Sequence, residues 1–147
     1  MSLLAQLKES QINAMRSKDK LSLGTIRMAL AAVKQREVDE RIELTDTDVL
    51  QILTKMVKQR QEAAALFISG SRQDLADREE AEILVIKRFL PSPLSDKDIQ
   101  VLIDDAVAKS GAVDIKDMGK VMAILKPQVQ GRADMGDVSK LIKAKLG

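Results

Sequence analysis

Residues 45–70 read TDTDVLQILTKMVKQRQEAAALFISG, and this stretch decides the fold. Thr45 is a natural N-cap, and Asp48, three positions on, sets a negative charge against the positive end of a helix. Val49, Leu53, Met56, Ala63 and Phe67 then recur on one helical side, widened by Leu50, Val57 and Ala64. No breaker interrupts this pattern before Gly70, which is expected to supply a left-handed C′ residue. The spacing predicts one helix to about Ser69, about 36 Å long at 1.5 Å per residue.

The same grammar extends in both directions. Ser2 caps a first helix whose stripe is Leu4, Leu7, Ile12 and Met15, and Ser17-Lys18-Asp19-Lys20 breaks it. A second helix sets Leu23, Ile26, Leu30, Val33 and Glu37 on one side and Arg27, Lys34 and Arg41 on the other. After Gly70, Ser71 is expected to cap a fourth helix with Asp74 at its third position. That helix carries Leu75, Ala81, Leu84, Val85 and Phe89 and must stop before Pro91. Pro91-Ser92-Pro93 holds the chain extended and is the best boundary, dividing it into domains 1–92 and 93–147.

Beyond the prolines, Ser95 and Asp98 open a helix through Ile99, Leu102, Ile103, Ala106 and Val107 that ends at Ser110-Gly111. Asp114 or Ile115 opens the next, with Met118, Val121, Met122 and Leu125 inward and Pro127 as its terminator. The last helix follows Gly131 and uses Val138, Leu141, Ile142 and Leu146. No segment alternates apolar and polar residues long enough for a strand. The fold class is all-α, an N-terminal multi-helix domain followed by a C-terminal three-helix domain.

Composition supports a packed helical protein. Hydrophobic residues make up 45% and charged residues 31%, a globular balance rather than a disordered one. Phe67 and Phe89 are the only aromatics, so Ala, Leu, Ile, Val and Met must build the core. Cysteine is absent, which suits a reducing cytoplasm. The opening residues lack a basic region followed by an apolar one, and no apolar run approaches the roughly 20 residues of a membrane span, so neither a signal peptide nor a membrane partner is expected. A monomer is the expected state.

Much catalytic chemistry is missing. Histidine is absent, which removes the commonest general base, the Ser-His and Cys-His pairs and the commonest metal ligand. With no cysteine either, no zinc site of the usual type is expected. No dinucleotide fingerprint, Walker A loop or EF-hand loop occurs, and no cofactor is expected. Glu79, Glu80 and Glu82, and likewise Asp104 and Asp105, read as solvated helix surface, because neighbouring helical positions do not face one another. Capping explains Asp46, Asp48, Asp96 and Asp98. The chain reads as a binding protein.

The net charge of +2 is too small for a general polyanion binder, but its distribution is uneven. Residues 94–117 carry an excess of Asp, whereas Lys120, Lys126, Arg132, Lys140, Lys143 and Lys145 outweigh Asp134 and Asp137 in residues 118–147. Two readings fit: acids at helix starts with bases at helix ends, or an anion-facing surface. For the second, Gly119 suggests close contact with a helix or ligand, since glycine within a helix costs about 1 kcal/mol relative to alanine. Gly131 marks a turn. Arg132 precedes the last helix, whose N-terminus suits phosphate unless Asp134 caps it. A weaker basic patch is Lys55, Lys58 and Arg60. With both phenylalanines on core stripes, any RNA contact should read phosphate and shape rather than stacked bases.

End to end, the chain resembles a YqeY-type protein of the GatB/YqeY family. The resemblance rests on Thr25-Ile26-Arg27-Met28 with Ala31-Ala32, Lys58-Gln59-Arg60, Asp74-Leu75-Ala76 with Glu79, and Phe89-Leu90-Pro91. Most specific are Asp117-Met118-Gly119-Lys120-Val121-Met122 and Gly131-Arg132-Ala133-Asp134. It implies kinship with the tail of the GatB subunit of a glutamine-dependent, tRNA-dependent amidotransferase, a carbon-nitrogen ligase. That tail helps to hold the tRNA body. It also implies a C-terminal domain similar to the ubiquitin-associated type, with Gly119, Gly131 and Ala133 in the fold-supporting motif. The implied tRNA-facing residues are Lys120 and Arg132, to which Lys126, Lys140 and Lys143 are added as neighbouring cations. The kinase-like body and the amidase subunit are missing here, so catalysis by this chain alone is not implied. The implied partners are tRNA and a tRNA-modifying or aminoacylation enzyme; the alternative is a helical protein–protein adaptor without RNA binding.

Overall fold

A computed structural model describes residues 1–129 and 132–147. The described residues form an all-helical protein without strands: α1 (Leu3–Ser17), α2 (Lys20–Glu40), α3 (Asp46–Ser69), α4 (Gln73–Lys87), α5 (Asp96–Ser110), a 3-10 turn (Ile115–Asp117), α6 (Met118–Val129) and α7 (Met135–Leu146). They cluster into two compact units, Met1–Leu90 and Pro91–Gly147.

The N-terminal unit is built on α3. Thr45 and Asp48 form a reciprocal capping box, the Thr45 hydroxyl accepting from the Asp48 amide while the Asp48 carboxylate accepts from the Thr45 amide. Such a cap stabilises a helix start by about 1 kcal/mol. Val49, Leu53, Met56 and Val57 of α3 then meet Ile83 and Ile86 of α4, Ala29 and Val33 of α2, and Leu3 and Leu7 of α1. Asp46 also accepts from the Leu3 amide at 3.0 Å, which ties α1 to the start of α3.

Four local expectations change. The buried side of α1 is Leu3, Leu7 and Ala14, whereas Ile12 and Met15 are exposed. Both stripes have helical spacing, and the small Ala14 wins because it packs close to Ile26 and Val85. On α4, Ala76, Ile83, Val85 and Ile86 are buried and Leu84 points to solvent. At the end of α3 the left-handed residue is Ser71 (φ 59), not Gly70 (φ −87). The Ser71 amide donates to the Ile68 carbonyl and the Arg72 amide to Phe67, the Schellman pattern shifted one residue onward. Ser71 therefore cannot cap α4. Arg72 takes that position without a side-chain cap and pairs with Asp74 at 3.1 Å instead.

The C-terminal unit packs α5, α6 and α7 around Ile99, Ile103, Ala106, Val121, Leu125, Val129, Val138 and Ile142. Ser95 and Asp98 form its capping box, and Gly111 (φ 69) closes α5 in the left-handed conformation. The 3-10 turn, opened by Asp114, replaces the expected helix start, and α6 proper begins at Met118. Pro127 does not terminate α6, which continues to Val129. The proline leaves the Ala123 carbonyl without an i+4 donor, and both residues are exposed, so water can satisfy it.

Candidate nucleic-acid interface

The cations of the C-terminal unit separate into engaged and available groups. Lys120, on the first turn of α6, lies 3.6 Å from Asp117, itself fixed by the Val113 amide at 3.1 Å. Chiefly that amide bond, aided by the Lys120 ammonium, holds the Asp117 carboxyl below its ordinary value. Lys145 pairs with Asp104 of α5 at 2.8 Å. The half-buried Arg132 donates through Nε to the Ser92 carbonyl at 3.0 Å, while the Arg132 carbonyl accepts from the Leu94 amide at 2.9 Å. Arg132 thus clips the entry of the unit to the approach to α7.

The N-terminus of α7 is also taken. Asp134 accepts from the amides of Gly136 (2.7 Å) and Asp137 (3.2 Å), so a carboxylate already sits where a phosphate was expected. Lys126, Lys140 and Lys143 remain exposed and make no ion pair among the described residues. Lys140 and Lys143 lie three residues apart on α7, opposite the Val138–Ile142 side that enters the core, and so form one cationic edge.

Of the two contacts expected at Gly119, with a helix or with a ligand, the structure removes the first. A Cβ at Gly119 would meet nothing within 4 Å, so no helix approaches closely there and the surface around it is open. Ala133 is half-buried and packs against the C-terminal core. Gly131 lies outside the described residues.

Sequence reasoning missed a second arrangement. Glu82 was expected on a wet surface but is buried, and its carboxylate receives the Arg60 Nε at 3.0 Å, with both side chains 12% exposed. Arg78 reaches the other carboxylate oxygen at 3.9 Å. Arg60 also donates to the Met56 carbonyl and to the Met28 sulfur, so it is a tie between α2, α3 and α4 and not a member of a surface patch. Above the pair opens a cleft of about 460 Å³ lined in part by Met28, Gln59, Leu75 and Glu79. The available signal was that three of the separate stretches behind the family resemblance supply residues to this one place. No group of three or more acidic side chains placed to hold a metal occurs among the described residues. Nor is any helix there long and apolar enough to cross a membrane.

These features sit in a chain of defined kinship. The family described as Yqey-like protein matches residues 4–146, and the chain belongs to that family. It is similar to altered inheritance of mitochondria protein 41, mitochondrial, of Vanderwaltozyma polyspora, at 30% identity over 119 residues, covering 76% of this chain and 64% of the relative. The protein of the same name from Pyrenophora tritici-repentis is 29% identical over 149 residues, covering 98% of this chain and 81% of the relative. A third, from Lachancea thermotolerans, is 38% identical over 88 residues, or 59% of this chain and 47% of the relative. The names of these relatives place them in mitochondria.

Proposed function

We propose that this chain is a non-catalytic tRNA-binding accessory protein that serves tRNA-dependent amidotransfer or a related tRNA enzyme. The observation that carries the proposal is the exposed set Lys126, Lys140 and Lys143 on the C-terminal unit, which makes no ion pair among the described residues. Lys120 and Arg132 are secondary in this reading, because Lys120 lies 3.6 Å from Asp117 and Arg132 donates through Nε to the Ser92 carbonyl. Phosphate is the natural target of such lysines, and the half-buried phenylalanines leave no exposed aromatic on which bases could stack. The C-terminal unit is read as similar to the ubiquitin-associated type, with tRNA held on its α7 edge. The absence of cysteine suits a reducing compartment, for which the cytoplasm is the first choice and the mitochondrial relatives supply the alternative.

The test is tRNA binding by the full chain in a mobility-shift titration at low salt. Lys140→Glu with Lys143→Glu is expected to weaken binding about tenfold or more while helicity stays unchanged. Equal binding by both proteins would refute the assignment.

A second reading draws on a specific surface. Val113 (82% exposed) and Ile115 (50% exposed) present apolar side chains at the turn before α6, next to the open surface at Gly119. A protein adaptor docking there would lose its partner on Val113→Asp and keep it on Lys140→Glu.

A further inference from the structure

We propose that α2 carries a second polyanion-binding surface, a row formed by Lys20, Arg27, Lys34 and Arg41 that takes the phosphate backbone of duplex RNA. The row stands on its own geometry in the N-terminal unit and does not depend on the lysines of α7.

The four cations are spaced seven residues apart, which on a helix returns each to nearly the same side after two turns, about 10.5 Å further along. The row therefore runs about 32 Å, the length of α2 and its C-cap. All four residues are exposed, and none makes an ion pair among the described residues. Two of the three acids of the same helix are engaged elsewhere. Asp39 accepts from Gln35 at 2.9 Å, and Glu40 pairs with Arg36 at 2.6 Å, on the side of α2 that meets α3. Glu37 and Glu43 border the groove between α1 and α2 near Lys34, and Lys8 faces them across it.

The strip beside the cations is low. Gly24, Ala31 and Val38 repeat with the same seven-residue interval, and a Cβ at Gly24 would meet nothing within 4 Å. The row drifts by only about 20° per seven-residue step, so it presents evenly spaced positive charge with a low flank to a ligand of evenly spaced negative charge. Three considerations favour an RNA duplex over a single strand or a membrane surface. No aromatic lies on α2, so a single strand would find nothing to stack on. Duplex RNA is recognised through phosphates, sugar hydroxyls and shape, which long cationic side chains can reach. A membrane surface would call for large apolar or aromatic anchors between the cations, where α2 offers Gly24, Ala31 and Val38, while the exposed Leu21 and Met28 lie about a quarter turn off the row.

The experiment compares three full-length proteins: the parent, Arg27→Glu with Lys34→Glu, and Lys140→Glu with Lys143→Glu. Each is titrated against a blunt RNA duplex, a single strand of the same length, and vesicles containing phosphatidylserine. Circular dichroism and thermal unfolding confirm that each is folded. The row predicts that the parent prefers the duplex and that the α2 variant loses about tenfold or more in duplex affinity. Its salt slope should become shallower by about 0.9 per lost phosphate contact. Arg27→Lys with Lys34→Arg, which keeps charge, should retain most of the binding. Unchanged duplex binding by the α2 variant, preference of the parent for single strands or vesicles, or no RNA binding by the parent would each overturn the proposal. Failure of the α7 variant alone to lose binding would count against the C-terminal interface and leave the α2 row standing.

Discussion

Arg60 and Lys140 are both basic residues on helices, yet the molecule uses them in opposite ways. Arg60 is drawn between α2, α3 and α4, where Glu82, a carbonyl and a thioether hold its guanidinium with little exposure. Lys140 stands on the outer side of α7, exposed and without an ion pair among the described residues. Arginine suits the first role, since its planar fork reaches several acceptors at once. Lysine suits the second, as a hydrated point charge on a flexible stem. Charge in the sequence thus separates into a buried, stabilising population and an exposed, solvated one according to whether tertiary packing supplies an acid.

The sharpest way to break this comparison is to remove one half of the buried pair. Glu82→Ala leaves Arg60 uncompensated and should cost about 3 kcal/mol of stability, read as a lower denaturant midpoint. Arg60→Met with Glu82→Leu should recover most of that loss, because an apolar pair of similar volume fills the site. A surface-like response to Glu82→Ala, under about 0.5 kcal/mol, would place Arg60 with the solvated cations.

A smaller effect is expected at the α3–α4 turn. Ser71→Gly relieves a non-glycine residue in the left-handed region and should stabilise the N-terminal unit by about 1 kcal/mol, seen in thermal unfolding. Gly70→Ala should be nearly neutral in backbone terms, since Gly70 has a negative φ. Ordinary contacts at 3.5 and 3.7 Å to the Leu66 and Phe67 carbonyls leave room for a Cβ there.

The smallest effects belong to the exposed pairs. Lys120→Ala should change stability by no more than about 0.5 kcal/mol, because Lys120 is largely exposed. Asp117 should show itself through pH. Its carboxyl is held below the ordinary 3.8, first by the Val113 amide, so its contribution is complete above that value and fades as pH falls through the lower folded-state value. Asp117→Asn should flatten the acid limb of the unfolding profile, and an unaltered limb would show that Asp117 does not contribute there.

Much of the helical plan was legible because its signals are local. Thr45 with Asp48 and Ser95 with Asp98 mark helix starts within a single turn, and both form the expected boxes. What escaped reading depends on distant partners. Nothing around Glu82 reveals that Arg60, on another helix, will meet it. Nothing around Arg132 shows that it will donate to the carbonyl of Ser92, forty residues away. The choice of Leu3 and Ala14 over Ile12 and Met15 follows from how closely α1 approaches its neighbours, which periodicity alone does not contain. At Gly119 the sequence shows the missing side chain and the fold shows open space beside it.

The most direct test of tRNA seating on the α7 edge is the salt dependence of tRNA binding by the full chain and by Lys140→Glu with Lys143→Glu. Affinity should fall steeply with salt for the unaltered chain, and the slope should be shallower for the variant by about 0.9 for each phosphate contact removed. Identical slopes, or binding indifferent to salt, would contradict an electrostatic seat for tRNA on the C-terminal unit.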